Sequence, residues 1–194
     1  MEGDEEGVRS ALDRGARPKV TVPTDAGVSW SLLTVAASEG HEHLLSLLLQ
    51  AGLSIEGGGT ADRTPLMMAA QNGHAHTVKA LLDLRGNPLA MDSRGEAAHT
   101  TVHVASYGGH VEVLEQLAGA GWPLTAKNSD GHTPMHFAAA GGRVTCVQWL
   151  VQRGGDTSIQ DNAGHTPLDL VGSGEGQEGG RMQTVLRSGS KFNR

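Results

Sequence analysis

Ser129-Asp130-Gly131-His132-Thr133-Pro134-Met135-His136-Phe137-Ala138-Ala139-Ala140-Gly141-Gly142-Arg143-Val144-Thr145-Cys146-Val147-Gln148-Trp149-Leu150-Val151 reads as a turn, a short helix, a break and a longer helix. Asp130-Gly131 makes the turn, because glycine accepts positive φ and aspartate bonds its own backbone. Thr133 is placed to cap the first helix. Pro134 follows at the first helical position, where a missing N–H costs nothing. Met135, Phe137 and Ala138 make that helix apolar, and Gly141-Gly142 end it. Val144, Val147, Leu150 and Val151 then recur at three- and four-residue spacing, which predicts an amphipathic second helix. A pair of this size cannot bury its apolar faces alone, so it requires neighbours.

The same pattern returns along the chain. Thr133 recurs as Thr166 and as Thr100, each 33 residues away; Thr64 lies 36 before Thr100, and Ser31 lies 33 before Thr64. The openings are Thr64-Pro65-Leu66-Met67-Met68-Ala69-Ala70, Thr100-Thr101-Val102-His103-Val104-Ala105-Ser106, Thr133-Pro134-Met135-His136-Phe137-Ala138-Ala139 and Thr166-Pro167-Leu168-Asp169. Nine residues past each anchor stands Gly40, Gly73, Gly109 or Gly142, followed by His41, His74, His110 or Arg143. Twenty-one past it stands Gly52, Gly121 or Gly154, with Arg85 in that place in the second unit. In period and in these residues the chain resembles the ankyrin repeat over roughly residues 24–171. The resemblance implies an all-α ankyrin-repeat solenoid of stacked helix-turn-helix units joined by β-turn fingers.

Three segments follow from it. Residues 1–23 are expected to form an N-terminal half-repeat cap and linker. Residues 24–171 hold repeats at about 24–56, 57–91, 92–126 and 127–160, with the start of a fifth at 161–171. Residues 172–194 form a Gly-rich loop and a remnant C-terminal helix and tail. The cap helix is predicted over about Glu5 to Arg14, carried by Val8 and Leu12, with Lys19 to Thr24 as a short extended linker. First helices are expected over Leu32–Ser38, Pro65–Asn72, Thr101–Tyr107 and Pro134–Ala140. Second helices are expected over Glu42–Gln50, His76–Leu84, Val111–Ala118 and Val144–Gln152. Gly57-Gly58-Gly59 lacks the Lys-Ser or Lys-Thr of a phosphate loop and is read as a flexible turn. Glu96-Ala97-Ala98 inserts three residues ahead of His99-Thr100 without changing helix phase. Gly172 to Gly180 contains a G-x-G-x-x-G match, but no strand precedes it and Glu175 and Glu178 would repel a pyrophosphate. A mobile linker is expected there, and a frayed end from Ser188 to Arg194.

Composition narrows the function. In 194 residues aromatics make up only 3%, too few for a layered core of large side chains. The Ala, Gly and Leu content suits thin, closely packed helices. The formal net charge is −6 with Lys and Arg scattered, so neither nucleic acid nor a polyanionic membrane is expected as a partner. No apolar run approaches the ~18 residues of a membrane span. The acidic start lacks a signal-like run, and Cys146 is the single cysteine, so a reducing cytoplasmic or nuclear setting is expected. Cys146 falls where the repeat wants a small apolar residue and is read as a buried thiol. The ten histidines invite a metal. Yet His41, His74 and His110 share one repeat position, and His103 and His136 share another. Same type at the same phase points to repeat-to-repeat hydrogen bonding rather than to ligands. No metal, cofactor or catalytic grouping is expected, since no thiolate pair or Ser-His-Asp set accompanies them.

Function is therefore read from exposed rungs of the stack. In ankyrin proteins, the resemblance implies, the residues just before each anchor and at the end of each first helix line a concave groove that binds partners. Here those rungs carry Trp30, Arg63, His99 and His132, and Glu39, Gln71, Asn72 and Tyr107. They are the candidate partner-binding residues of a non-catalytic protein–protein interaction module, expected as a monomer that takes a protein or peptide in the groove of its first three repeats, with Trp30, Arg63, His99 and Tyr107 as principal contacts. A regulatory ankyrin segment of a larger enzyme or signalling assembly is the alternative. Trp, Arg and Tyr dominate interface energetics. Glu39 and Asp62 suggest a partner bearing Lys or Arg, and the small residues at Ala140-Gly141 suggest close backbone approach.

Overall fold

The structure, a computed structural model, describes residues 5–14, 21–23, 29–57, 63–87, 98–171 and 177–189. Helix α1 (Glu5–Asp13) precedes a two-stranded antiparallel ladder, β1 (Thr21–Pro23) with β2 (Ser29–Ser31), in which Val22 is in register with Trp30. Four helix pairs follow: α2 (Leu32–Ser38) with α3 (Glu42–Gln50), α4 (Pro65–Gln71) with α5 (Ala75–Asp83), α6 (Thr101–Gly108) with α7 (Val111–Gly119), and α8 (Pro134–Ala140) with α9 (Val144–Gln152). A 3-10 turn, Pro167–Leu170, and α10 (Gln177–Gly189) complete the order. The first helices pack side by side from α2 to α8 and on to the 3-10 turn. The second helices form a parallel layer from α3 to α10. This is the all-α repeat solenoid.

Each unit starts the same way for the same reason. The Ser31 hydroxyl accepts from the Thr34 amide at 3.1 Å, and Thr64 Oγ1 accepts from the Met67 amide at 3.2 Å. Thr100, Thr133 and Thr166 form capping boxes with His103, His136 and Asp169. Each cap satisfies a helix-end amide and is worth about 1 kcal/mol. The core is Leu33, Leu45, Leu48, Leu66, Val78, Leu81, Leu114, Leu117, Val147 and Leu150, all essentially inaccessible. Alanines on the first helices, Ala37, Ala69, Ala105 and Ala138, are fully buried and let neighbouring repeats approach closely. Val8 and Leu12 of α1 pack against this core at one end, and Met182 and Leu186 of α10 are buried in it at the other.

The differences from expectation are local. Helix α5 begins at Ala75 rather than His76, because His74 takes the N-cap place that His41, His110 and Arg143 take in the other units. Asn72 caps α4 from outside and turns its side chain to Ser38, donating to the carbonyl at 2.8 Å and meeting Oγ at 3.0 Å. Helices α6 and α7 each run one residue further than expected, to Gly108 and Gly119. Part of the expected linker, Thr21–Pro23, is a paired strand. Gln177–Gly180, expected as mobile linker, is the first turn of α10, and Ser188 remains helical with its hydroxyl donating to the Val185 carbonyl at 2.8 Å. Gly58, Gly59, Asp62, Glu96, Ala97, residues 172–176 and residues 190–194 lie outside the described residues.

Candidate binding groove

Besides Asn72, three side chains cross from one repeat to the end of the previous first helix. His74 Nε2 donates to the Ser38 carbonyl at 2.9 Å, His110 Nε2 to the Gln71 carbonyl at 2.9 Å, and Arg143 Nε to the Tyr107 carbonyl at 2.9 Å. Carbonyls at a helix end lack intrahelical partners, and a carbonyl only accepts, so both imidazoles carry their proton on Nε2. The matching glycine of the preceding repeat makes room for each donor: Gly40 for His74, Gly73 for His110 and Gly109 for Arg143. A Cβ on Gly73 would lie 2.5 Å from His110 Nδ1, and one on Gly141 would lie 2.6 Å from the Tyr107 oxygen. Gly141 is therefore filled space between repeats, which corrects the expectation that its small size leaves backbone open to a partner.

A second ladder runs through the fingers. His103 Nδ1 accepts from the Thr100 amide at 3.2 Å, while its Nε2 lies 3.1 Å from both the Ala126 and the His132 carbonyls. His136 repeats this, Nδ1 accepting from the Thr133 amide at 3.1 Å and Nε2 donating to the His165 carbonyl at 3.1 Å. Each ring is thereby fixed as the neutral Nε2–H tautomer. Burial pushes the His103 imidazolium down to about 4, and lowers that of His136 too, against the carbonyls that favour the charged form. Outside them, Asn128 Nδ2 donates to His99 Nδ1 at 3.2 Å, and His132 Nε2 donates to Asp161 Oδ2 at 3.0 Å. Burial disfavours the Asp161 carboxylate, but the His165 and Ala163 amides and His132 outweigh it and hold the acid down at about 2.

The groove itself opens across the second, third and fourth repeats, one unit further along than the first three expected from sequence. A cleft of about 560 Å³ is lined by Arg63, Gln71, His99, Val104, Tyr107, Gly108, His110, Phe137 and Arg143. Of the eight candidates, the structure brings together Arg63, Gln71, His99 and Tyr107. Arg63 donates to Gln71, joining the two rungs of the second repeat. Tyr107 is 54% exposed and is the most exposed large hydrophobic side chain among the described residues. The other four stand apart from the cleft wall. Trp30 is half-buried in β2, Glu39 caps α2 in solvent, Asn72 is turned to Ser38, and His132 is tied to Asp161. Five lining residues, Val104, Gly108, His110, Phe137 and Arg143, were not named from sequence as partner contacts, and two of them matter most. Phe137 packs edge-on to His99 at 4.9 Å between ring centres, with His103 at 5.0 Å and His132 at 6.0 Å. Arg143 is the charged member of a position that is otherwise histidine.

Cys146 is buried, and its burial raises the thiol to about 11, with Arg143 opposing weakly. Such a thiol is not a nucleophile near neutral pH. Among the described residues no three His, Cys, Asp or Glu side chains are grouped to hold a metal ion, and no helix is long and apolar enough to cross a membrane.

A stack of helix pairs presenting a side-chain-lined groove defines a repeat protein of the binding class. Comparison with protein families gives the same answer: residues 1–92 match a model of ankyrin repeats in three copies, and residues 102–151 one of ankyrin repeats in many copies. The chain belongs to the ankyrin-repeat proteins. It is similar to the probable E3 ubiquitin-protein ligase XBOS31 of Oryza sativa subsp. japonica, 36% identical over 91 residues, 47% of this chain and 20% of that protein. The putative E3 ubiquitin-protein ligase XBAT31 of Arabidopsis thaliana is 36% identical over 90 residues, 46% of this chain and 19% of that protein. The probable E3 ubiquitin-protein ligase XBOS32 of Oryza sativa subsp. japonica is 30% identical over 113 residues, 58% of this chain and 22% of that protein. The chain thus spans about a fifth of the length of these curated relatives.

Proposed function

We propose that this chain is a non-catalytic interaction module that holds a protein segment in the groove of its second to fourth repeats. The observation that carries the reading is Tyr107. It stands exposed on the cleft wall, where the ends of the other first helices carry Ser38, Gln71 and Ala140. Folding needs no aromatic ring there, and tyrosine is among the residue types that anchor interfaces. Arg63, Gln71, His99 and Tyr107 are the central contacts, joined by Phe137 and Arg143. Trp30, Glu39, Asn72 and His132 are outer contacts. The module acts as a monomer in a cytoplasmic or nuclear setting.

The similarity to E3 ubiquitin-protein ligases supports a second reading, in which these repeats are the regulatory segment of a larger enzyme and position or restrain a protein at its groove. Both readings place the partner in the same cleft. A photoreactive phenylalanine analogue at position 107 tests them together. Crosslinks to a specific protein are expected from that position and not from position 79 on the exposed face of α5. Crosslinks of equal yield from both positions would remove the groove from the function.

A further inference from the structure

We propose that the groove selects an acidic segment: carboxylates flanking an aromatic or aliphatic residue. This rests on the groove as the binding site and adds the chemistry of its occupant. The chain as a whole is acidic, at a formal net charge of −6. The cleft reverses that sign, and with it the expectation of a basic partner: Asp62 lies outside the described residues, and Glu39 is not on the wall of the cleft. Its wall carries two guanidinium groups, Arg63 and Arg143, and two imidazoles, His99 and His110, and among the described residues no carboxylate lines it. Arg63 belongs to the second repeat and Arg143 to the fourth, with Tyr107 of the third between them.

Arg143 shows how the arrangement recognises an acid. Its Nε is committed to the Tyr107 carbonyl at 2.9 Å, which fixes the planar fork at the cleft. The two amino groups of the fork remain suited to a bidentate carboxylate. Among the described residues no carboxylate is ion-paired with Arg143, and its side chain is exposed. A guanidinium held in place before the ligand arrives gives up little rotamer freedom on binding. Tyr107, Val104 and Phe137 supply an apolar floor between the two cations. The complementary ligand has an acid at each end and a large apolar side chain between.

The test is selection of random dodecapeptides displayed on phage against the full 194-residue chain, followed by affinity measurements on the synthesised winners. Winners rich in Asp and Glu around one apolar residue are expected, binding more weakly as salt rises. Arg143→Gln is expected to weaken them about tenfold, the loss of one charge-assisted contact. Arg143→Lys should recover part of that loss. Tyr107→Ala should also weaken binding, and Lys79→Ala should leave it unchanged. Thermal midpoints check that each variant folds, and Arg63→Gln supplies the answer if Arg143→Gln does not fold. Neutral or basic winners that are still lost with Tyr107→Ala would overturn the acidic preference and leave the groove intact. Winners indifferent to Tyr107 and Arg143, or no winners, would overturn both. Oligothymidylate that displaces the peptides at equal charge would overturn the choice of a peptide.

Discussion

Arg143 reaches back across the repeat boundary to the carbonyl of Tyr107, at the same 2.9 Å as His110 reaches Gln71. One residue of the groove thus orients another through the backbone. The bond also places Arg143 beside Gly141, where a Cβ would lie 2.6 Å from the Tyr107 oxygen and 3.2 Å from that of Phe137.

Gly141→Ala is therefore expected to destabilise. At an αR position with φ of −76° the substitution would ordinarily gain about 0.5–1 kcal/mol by restricting the unfolded chain. The backbone oxygens at its door cannot move as a flexible side chain can, and overpacking of this kind costs about 1–3 kcal/mol. A urea midpoint at or above that of the wild type would contradict the packing.

Arg85 carries the opposite expectation. It holds a φ of 67° where Gly52, Gly121 and Gly154 hold 90°, 85° and 82°. The left-handed region costs a residue with a Cβ about 1–2 kcal/mol, partly offset by the greater unfolded-state freedom of glycine. Arg85→Gly should raise stability by about 0.5–1 kcal/mol, read as a higher urea midpoint with the same slope. A lower midpoint would show that the Arg85 side chain earns its place by a contact.

Acid should loosen the stack in two stages. His103 takes up a proton only near pH 4 when folded, against the ordinary histidine value of 6.5 when unfolded. Between those limits the unfolded chain binds more protons, so stability is full above about pH 6.5 and falls as pH drops toward 4. For this fully buried ring the loss is on the order of 3 kcal/mol. Asp161 and Asp169, both held below the usual carboxylate range, add a second loss at lower pH. Unfolding midpoints that stay level from pH 7 to pH 4.5 would refute the first stage.

Thr157 offers a stabilising substitution. Its Oγ1 is the one buried side-chain polar atom without a hydrogen-bond partner among the described residues, and the residue is 5% exposed. Valine has nearly the same shape without the hydroxyl. Thr157→Val is expected to gain about 1 kcal/mol, the cost of that unpaired group. A thermal scan showing a lower midpoint would mean that the hydroxyl is satisfied in solution.

The fold was legible because its signal is written five times. Ser31, Thr64, Thr100, Thr133 and Thr166 each cap or start a unit, so a single drifted residue could not hide the period. The groove was half legible. Arg63 and Tyr107 stood out as types that packing does not require. His132 has the same appearance in sequence, yet it is spent on Asp161, 29 residues away. Nothing in the local pattern announces that bond. Phe137 could have been found by aligning it with Val35, Met68 and Val104, which occupy its place in the other units: only the fourth repeat puts an aromatic there. Arg143 was passed over because its position was already explained by hydrogen bonding, and one residue can both bond and carry charge.

The donors that cross each boundary differ, histidine at 74 and 110 and arginine at 143, yet every acceptor is a main-chain carbonyl. A carbonyl is present whatever residue carries it. A unit copied or deleted whole would bring its own donor and meet a usable acceptor, with no matching change needed next door. The array can therefore lengthen or shorten by entire repeats, and the groove with it, because these three bonds ask nothing of the side chains at Ser38, Gln71 and Tyr107.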